Sequence, residues 1–107
     1  MASTSDHPVI FKPDGPTLDA NAAAKFQHDF ESMLTMRINV LLDFSDVEFL
    51  DSAGLSSIVN ALRKIDEFDG TIKICGVQDT VRILFDVVRL QRLVDIYTSR
   101  DEAMASI

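Results

Sequence analysis

Ile38-Asn39-Val40-Leu41-Leu42-Asp43-Phe44 carries Val40, Leu41 and Leu42 in succession, so apolar side chains project from both faces of the same short segment. A strand with one wet face alternates apolar and polar residues. A run that does not alternate is covered on both sides, as in the middle of a parallel sheet. The segment therefore predicts a central strand, from which the rest of the chain can be read in both directions.

Upstream, Val9-Ile10-Phe11 reads as a brief strand that Pro13-Asp14-Gly15-Pro16 ends in a turn. Asp19 or Asn21 caps a helix that continues through Ala22-Ala23-Ala24 to about Leu34, with Ala22, Phe26, Phe30 and Met33 on one buried stripe. Downstream, a second helix follows Asp51-Ser52-Ala53-Gly54, with Leu55, Ile58, Val59, Leu62 and Ile65 as its inner stripe. Asp69-Gly70 stops it, and Thr71 to Val77 is the next strand. Asp79 or Thr80 caps a third helix through Val81, Leu84, Phe85 and Val88. Asp95-Ile96-Tyr97 is a short strand, and a helical stub starts at Asp101. Strands that alternate with helices, joined by links too short for hairpins, form crossover units. The expectation is an α/β fold with a mostly parallel sheet of four to five strands and about four helices.

The chain has 107 residues, the usual size of one domain, so residues 1–107 read as a single unit with residues 1–7 as a flexible tail. Ten basic and seventeen acidic residues give a formal charge of −7, which opposes nucleic acid and anionic membrane as partners. The plain use of such charge is solubility. Cys75 is the lone cysteine and lies in the apolar run Ile72-Lys73-Ile74-Cys75-Gly76. That excludes an internal disulfide and predicts a buried, inert thiol. No apolar run reaches 18 residues, and Met1-Ala2-Ser3-Thr4-Ser5-Asp6 lacks the character of a signal peptide, so a cytoplasmic protein is expected.

The informative loop is Val47-Glu48-Phe49-Leu50-Asp51-Ser52-Ala53-Gly54-Leu55, which carries the central strand into the second helix. Partner and ligand sites of open α/β sheets gather at such strand ends. The plain reading is that Ser52 or Asp51 is the helix cap, which adds about 1 kcal/mol. The functional reading is that Ser52 accepts a phosphoryl group. A helix amino terminus tolerates the anion, and the surface gains about 1.5 to 2 negative charges. A serine hydrolase would need a Gly-x-Ser-x-Gly elbow and a base nearby. Leu50-Asp51 precedes Ser52, and the histidines are early: His7 in the tail and His28 on the exposed side of the first helix. Enzymatic activity is not expected. Asp43 and Asp46 read as strand-end solvation and turn formation rather than metal ligands. With no Gly-rich phosphate loop, no cofactor is expected.

Leu50-Asp51-Ser52-Ala53-Gly54-Leu55 resembles the Asp-Ser-x-Gly-Leu signature of STAS domains, the family of sulfate-transporter and anti-sigma-antagonist domains. Thr17-Leu18-Asp19 matches the loop before that family's first helix, Val40 to Phe44 its central strand, and Val81-Arg82-Ile83-Leu84-Phe85 its third helix. The resemblance implies a STAS-like fold and an anti-sigma factor antagonist. In such proteins the anti-sigma factor, a serine kinase with a histidine-kinase-like ATPase fold, phosphorylates the motif serine, and a metal-dependent serine/threonine phosphatase reverses it. Carried over by position, Ser52 is the phosphorylation site, and Asp19, Asp51 and Gly54 belong to the partner interface. ATP and Mg²⁺ belong to the kinase. Helical spacing extends that interface along Ser52, Ser56, Asn60 and Arg63. The alternative is a STAS adaptor or scaffold subunit of a transport or sensory complex, with Ser52 as a cap. The chain departs from the family pattern at Pro16-Thr17, where glycine is usual, in its short final helix, and at Arg89-Leu90, where Gly-Leu is usual. A left-handed cap at Arg89 is costly relative to glycine, which predicts a third helix that runs on.

Overall fold

Why the central strand is covered on both sides is visible in where its side chains go. In the computed structural model, which describes residues 8–105, Val40, Leu42 and Phe44 join one core with Phe26, Phe30, Ile58, Ile65, Ile74, Val81 and Phe85. Leu41 points the other way, into a smaller cluster with Cys75 and Ala103 under Tyr97. The expected tail of residues 1–7, with His7, lies outside the described residues.

The elements in chain order are β1 (Val9–Phe11), β2 (Thr17–Leu18), α1 (Ala20–Met33), β3 (Asn39–Asp43), β4 (Phe49–Leu50), α2 (Ser52–Glu67), β5 (Thr71–Cys75), α3 (Asp79–Val87), a 3-10 turn (Leu90–Arg92), β6 (Asp95–Tyr97) and α4 (Arg100–Ala105). The main sheet has four strands in the order β1-β3-β5-β6, and every pair in it is parallel. Strands added in sequence order, each by a right-handed crossover, put the intervening helices on one face. That face carries α1, α2 and α3, while α4 covers the back. The α/β expectation with four helices holds, and the sheet has four strands. Phe11 on β1 meets the α1 rings of Phe26 and Phe30 edge-on, at centroid distances of 5.5 and 5.6 Å.

Helix ends show how the chain turns without glycine in the expected places. Asp69, with φ of 56°, takes the left-handed position after α2. Its amide donates to Asp66 O and that of Gly70 to Ile65 O, which is a Schellman closure. Gly70 is needed for space instead: a Cβ there would meet Ile38 O at 2.5 Å. Arg89 likewise stands at φ 57°, ψ 43°, and α3 stops at Val87, so the third helix does not run on. The stop brings Leu90 into the core, and burial of that side chain offsets the backbone cost. The cap of α3 is also neither Asp79 nor Thr80. Gln78 holds the cap position without a side-chain bond, and Asp79 opens the helix.

Candidate functional site

The Ser52 loop is positioned by two strands of two residues each. β2 and β4 pair in parallel as a separate sheet, Thr17 against Phe49 and Leu18 against Leu50. Pro16 O accepts from the Glu48 and Phe49 amides at 2.7 and 3.1 Å, and Leu18 O from the Asp51 amide at 3.4 Å. The chain leaves each strand through an aspartate. Asp19 accepts from the Ala22 amide at 3.1 Å and caps α1; Asp51 accepts from the Gly54 amide at 3.0 Å and caps α2. Neighbouring strands lie about 4.8 Å apart, so two helix amino termini start side by side, each with an acidic cap. Close approach depends on Gly54, where a Cβ would sit 2.2 Å from Leu18 O.

Asp51 therefore fills the capping role, and of α1's two candidates the cap is Asp19, not Asn21. Ser52 is the first residue of α2, exposed, and among the described residues no hydrogen bond engages its hydroxyl. Position 52 lies in the first turn of α2, at the positive end of the helix dipole and next in sequence to the Asp51 cap. Phe49 is 57% exposed on β4 next to this corner, a neighbour with no signal in the local sequence. Bonds from α3 and the residue before it brace the loop from behind: Thr80 Oγ1 donates to Glu48 O at 2.8 Å and Gln78 Nε2 to Ser45 O at 2.7 Å.

Along α2, Ser56 and Arg63 are exposed with Ser52, Asn60 is half-buried, and Gly54 lies beneath this surface rather than on it. The inner stripe differs from the expected one. Gly54, Ser57, Ile58, Ala61 and Ile65 face the core, and Leu55, Val59 and Leu62 stand half-buried on the shoulder. Small residues face inward because α2 packs closely on β2 and α1; Ser57 Oγ is satisfied by Gly54 O at 2.6 Å. Leu55 and Val59 line an open groove of about 500 Å³ that runs between α2 and the turn after α3.

The back of the sheet holds a second polar arrangement. Asp43 is buried, not solvated: Oδ1 accepts from the Ser45 amide at 2.9 Å and Oδ2 from Arg100 at 2.6 Å. Burial alone would raise its pKa, but the hydrogen bonds from Ser45 and Arg100 outweigh it and hold the carboxyl below its ordinary range. Cys75 is buried next to it, and its thiol is pushed up to about 11, first by burial and then by the Asp43 charge. Such a thiol is a poor nucleophile. Asp46 forms an exposed pair with Lys12 at 2.9 Å. Among the described residues no group of three His, Cys, Asp or Glu side chains could hold a metal ion, and His28 is exposed on α1. No described helix is long and apolar enough to cross a membrane.

An all-parallel four-stranded sheet with three helices on one face, a fourth behind it, and an Asp-Ser-x-Gly loop opening the second helix defines the class. The chain belongs to the STAS domain family, whose model matches residues 1–103. A relative in Thermotoga maritima, named as a putative anti-sigma factor antagonist, is 31% identical over 103 residues, covering 95% of this chain and 91% of its own. The fold is similar to that of an anti-sigma-factor antagonist (STAS) domain protein from Planctomyces limnophilus, with a TM-score of 0.83 at 18% identity over 94% of this chain and 91% of that one. It is similar as well to a sulfate transporter family protein from Wolinella succinogenes, with a TM-score of 0.80 at 13% identity over 98% and 91% of the two chains.

Proposed function

We propose that the chain is an anti-sigma factor antagonist whose hold on its partner is switched by phosphorylation of Ser52. The observation that carries this reading is the division of labour at the start of α2. Asp51 caps the helix, which leaves the Ser52 hydroxyl exposed and without a structural role. A residue that serves only as a cap would be bonded to the third helical amide, which here belongs to Asp51.

The partner in this reading is an anti-sigma factor with a histidine-kinase-like ATPase fold that acts as serine kinase and brings its own ATP and Mg²⁺. A metal-dependent serine/threonine phosphatase resets the switch. Unphosphorylated, the face formed by Asp19, Asp51, Ser52, Ser56, Asn60 and Arg63 is low in relief and binds the anti-sigma factor. Phosphorylation adds about 1.5 to 2 negative charges next to the Asp51 cap. The helix terminus lets the fold tolerate the new charge, while a partner that matched the old surface must desolvate or oppose it. The switch thus acts on affinity and leaves stability nearly unchanged.

The likeness to a sulfate transporter family protein favours a second reading, a fixed STAS subunit in which the same face is a permanent dock. Incubation with a purified anti-sigma factor kinase and Mg-ATP separates the two. One phosphoryl group, found by mass spectrometry on wild type and absent from Ser52→Ala, supports the switch. Labelling that survives in Ser52→Ala, with exposed Ser56 as the acceptor, overturns the assignment, and no labelling at all favours the fixed subunit.

A further inference from the structure

One helix of the fold is apolar on two sides and covered on only one. Along α3, the buried Val81 and Phe85 stand a turn apart and join the main core. Ile83 and Val87, also a turn apart, point away from it and are 64% and 74% exposed. Leu84 and Val88 widen this ridge toward α2, where Val88 and Leu93 share the groove with Leu55 and Val59. Of the ten exposed large hydrophobic residues among those described, five lie between Ile83 and Leu93, so the uncovered surface is one patch rather than a scatter. A helix that is hydrophobic on both sides belongs in an interior. For α3 the fold supplies that interior on one side.

The area and the charge of this patch fit a second copy of the chain. Side chains of this size, open to this degree, expose on the order of 100 Å² each, or about 400–500 Å² for the five together. A standard interface takes about 800 Å² from each partner, and in homodimers about 65% of it is apolar, which is about 500 Å². From Asp79 to Asp95 three aspartates stand against three arginines, so this stretch is formally neutral in a chain that carries −7. A neutral patch selects neither an acidic nor a basic partner. Two copies of an acidic chain also repel least where they meet through neutral surface, because charge farther than about 8 Å away is screened at physiological salt.

We propose that the chain forms a homodimer in which α3 packs against α3 of a second copy across a two-fold axis. Under that symmetry the same patch serves on both protomers. The Ile83 and Val87 ridge of each protomer is then covered by the partner's patch, and α3 becomes an interior helix on both of its apolar sides. The inference does not depend on the Ser52 reading.

The test is sedimentation equilibrium of the full chain as wild type, Val87→Glu and Ile83→Ser, with Met104→Ser as control, an exposed apolar position on α4. Interfaces of this size bind between about micromolar and picomolar, so wild type should be a dimer at about 100 µM. Val87→Glu should raise the dissociation constant of the dimer at least tenfold, because it carries a carboxylate into the apolar contact from both sides. Ile83→Ser should raise it at least fivefold, and Met104→Ser should stay within twofold of wild type. Circular dichroism melts should show all three variants folded; Ile83→Ser serves alone if Val87→Glu does not fold. A wild type that is monomeric at about 100 µM overturns the proposal. So does a dimer that the α3 variants leave intact, or one that Met104→Ser weakens as much as they do, since either places the contact on another face.

Discussion

Replacement of Gly54 by alanine sets helix propensity against close packing, and the structure decides which wins. In a helix interior alanine is favoured over glycine by up to about 1 kcal/mol. At this position, however, the new Cβ would lie 2.2 Å from Leu18 O and 3.1 Å from the Leu50 Cβ. A carbon–oxygen contact normally sits at about 3.3–3.6 Å, so about 1 Å of separation has to be created. The obstacle is a backbone carbonyl that also accepts the Asp51 amide. It cannot rotate away like a side chain, so α2 must lift from β2. Overpacking of this kind costs about 1–3 kcal/mol, and the weakened Leu18–Asp51 bond adds about 1 kcal/mol. The propensity gain offsets only part of this, for a net loss of about 1–3 kcal/mol. Urea unfolding of Gly54→Ala should show that loss, and Tm should fall by at least about 4 °C. Because the lift separates the two aspartate caps, Ser52 phosphorylation should slow as well. A variant as stable as wild type, or more so, would refute the argument that Gly54 is there for the approach of α2 to β2.

Asp51→Ala should cost about 0.5–2 kcal/mol in urea unfolding as a lost cap, while Ser52→Ala should stay within about 0.5 kcal/mol; equal losses would mean that the serine shares the capping. Asp43 has a folded pKa below its unfolded one, so its contribution is complete above the ordinary carboxylate pKa of about 3.9 and disappears as pH falls through the folded value. Wild type should therefore exceed Asp43→Asn in stability at pH 6, and the gap should narrow as pH falls below about 4; a constant gap would contradict the assignment. Ile58→Ala, at a fully buried side chain, should cost about 2–5 kcal/mol, and half-buried Leu62→Ala less than about 2 kcal/mol, measured by thermal melting.

Much of this architecture is legible in the sequence because its signals are long or dense. The strands at Val9–Phe11, Asn39–Asp43, Thr71–Cys75 and Asp95–Tyr97 are apolar runs between clear breakers, and the helices show periodic stripes. The motif at Asp51-Ser52-Ala53-Gly54 locates the point where α2 begins after β4. What escapes has physical reasons. Strands of two residues, Thr17–Leu18 and Phe49–Leu50, are too short for any period to appear, yet they align the two caps. The inner face of α2 is misread because hydrophobicity favours the large Leu55, Val59 and Leu62. Contact distance instead selects Gly54, Ser57 and Ala61, and the displaced Leu55 and Val59 become the wall of the groove. Arg89 adopts a left-handed cap against its own preference because the turn it makes buries Leu90, a tertiary reward that the local sequence does not announce. Asp43 finds its partner in Arg100, 57 residues away, which no local pattern foretells.

The central claim is that a phosphoryl group on Ser52 changes affinity and not fold. Titration calorimetry of the anti-sigma factor with the unphosphorylated chain and with the chain phosphorylated at Ser52, alongside a thermal melt of each, tests it most directly. Binding should be at least tenfold weaker after phosphorylation, equivalent to about 1.4 kcal/mol, with Tm nearly unchanged. Equal affinities for the two forms would contradict it.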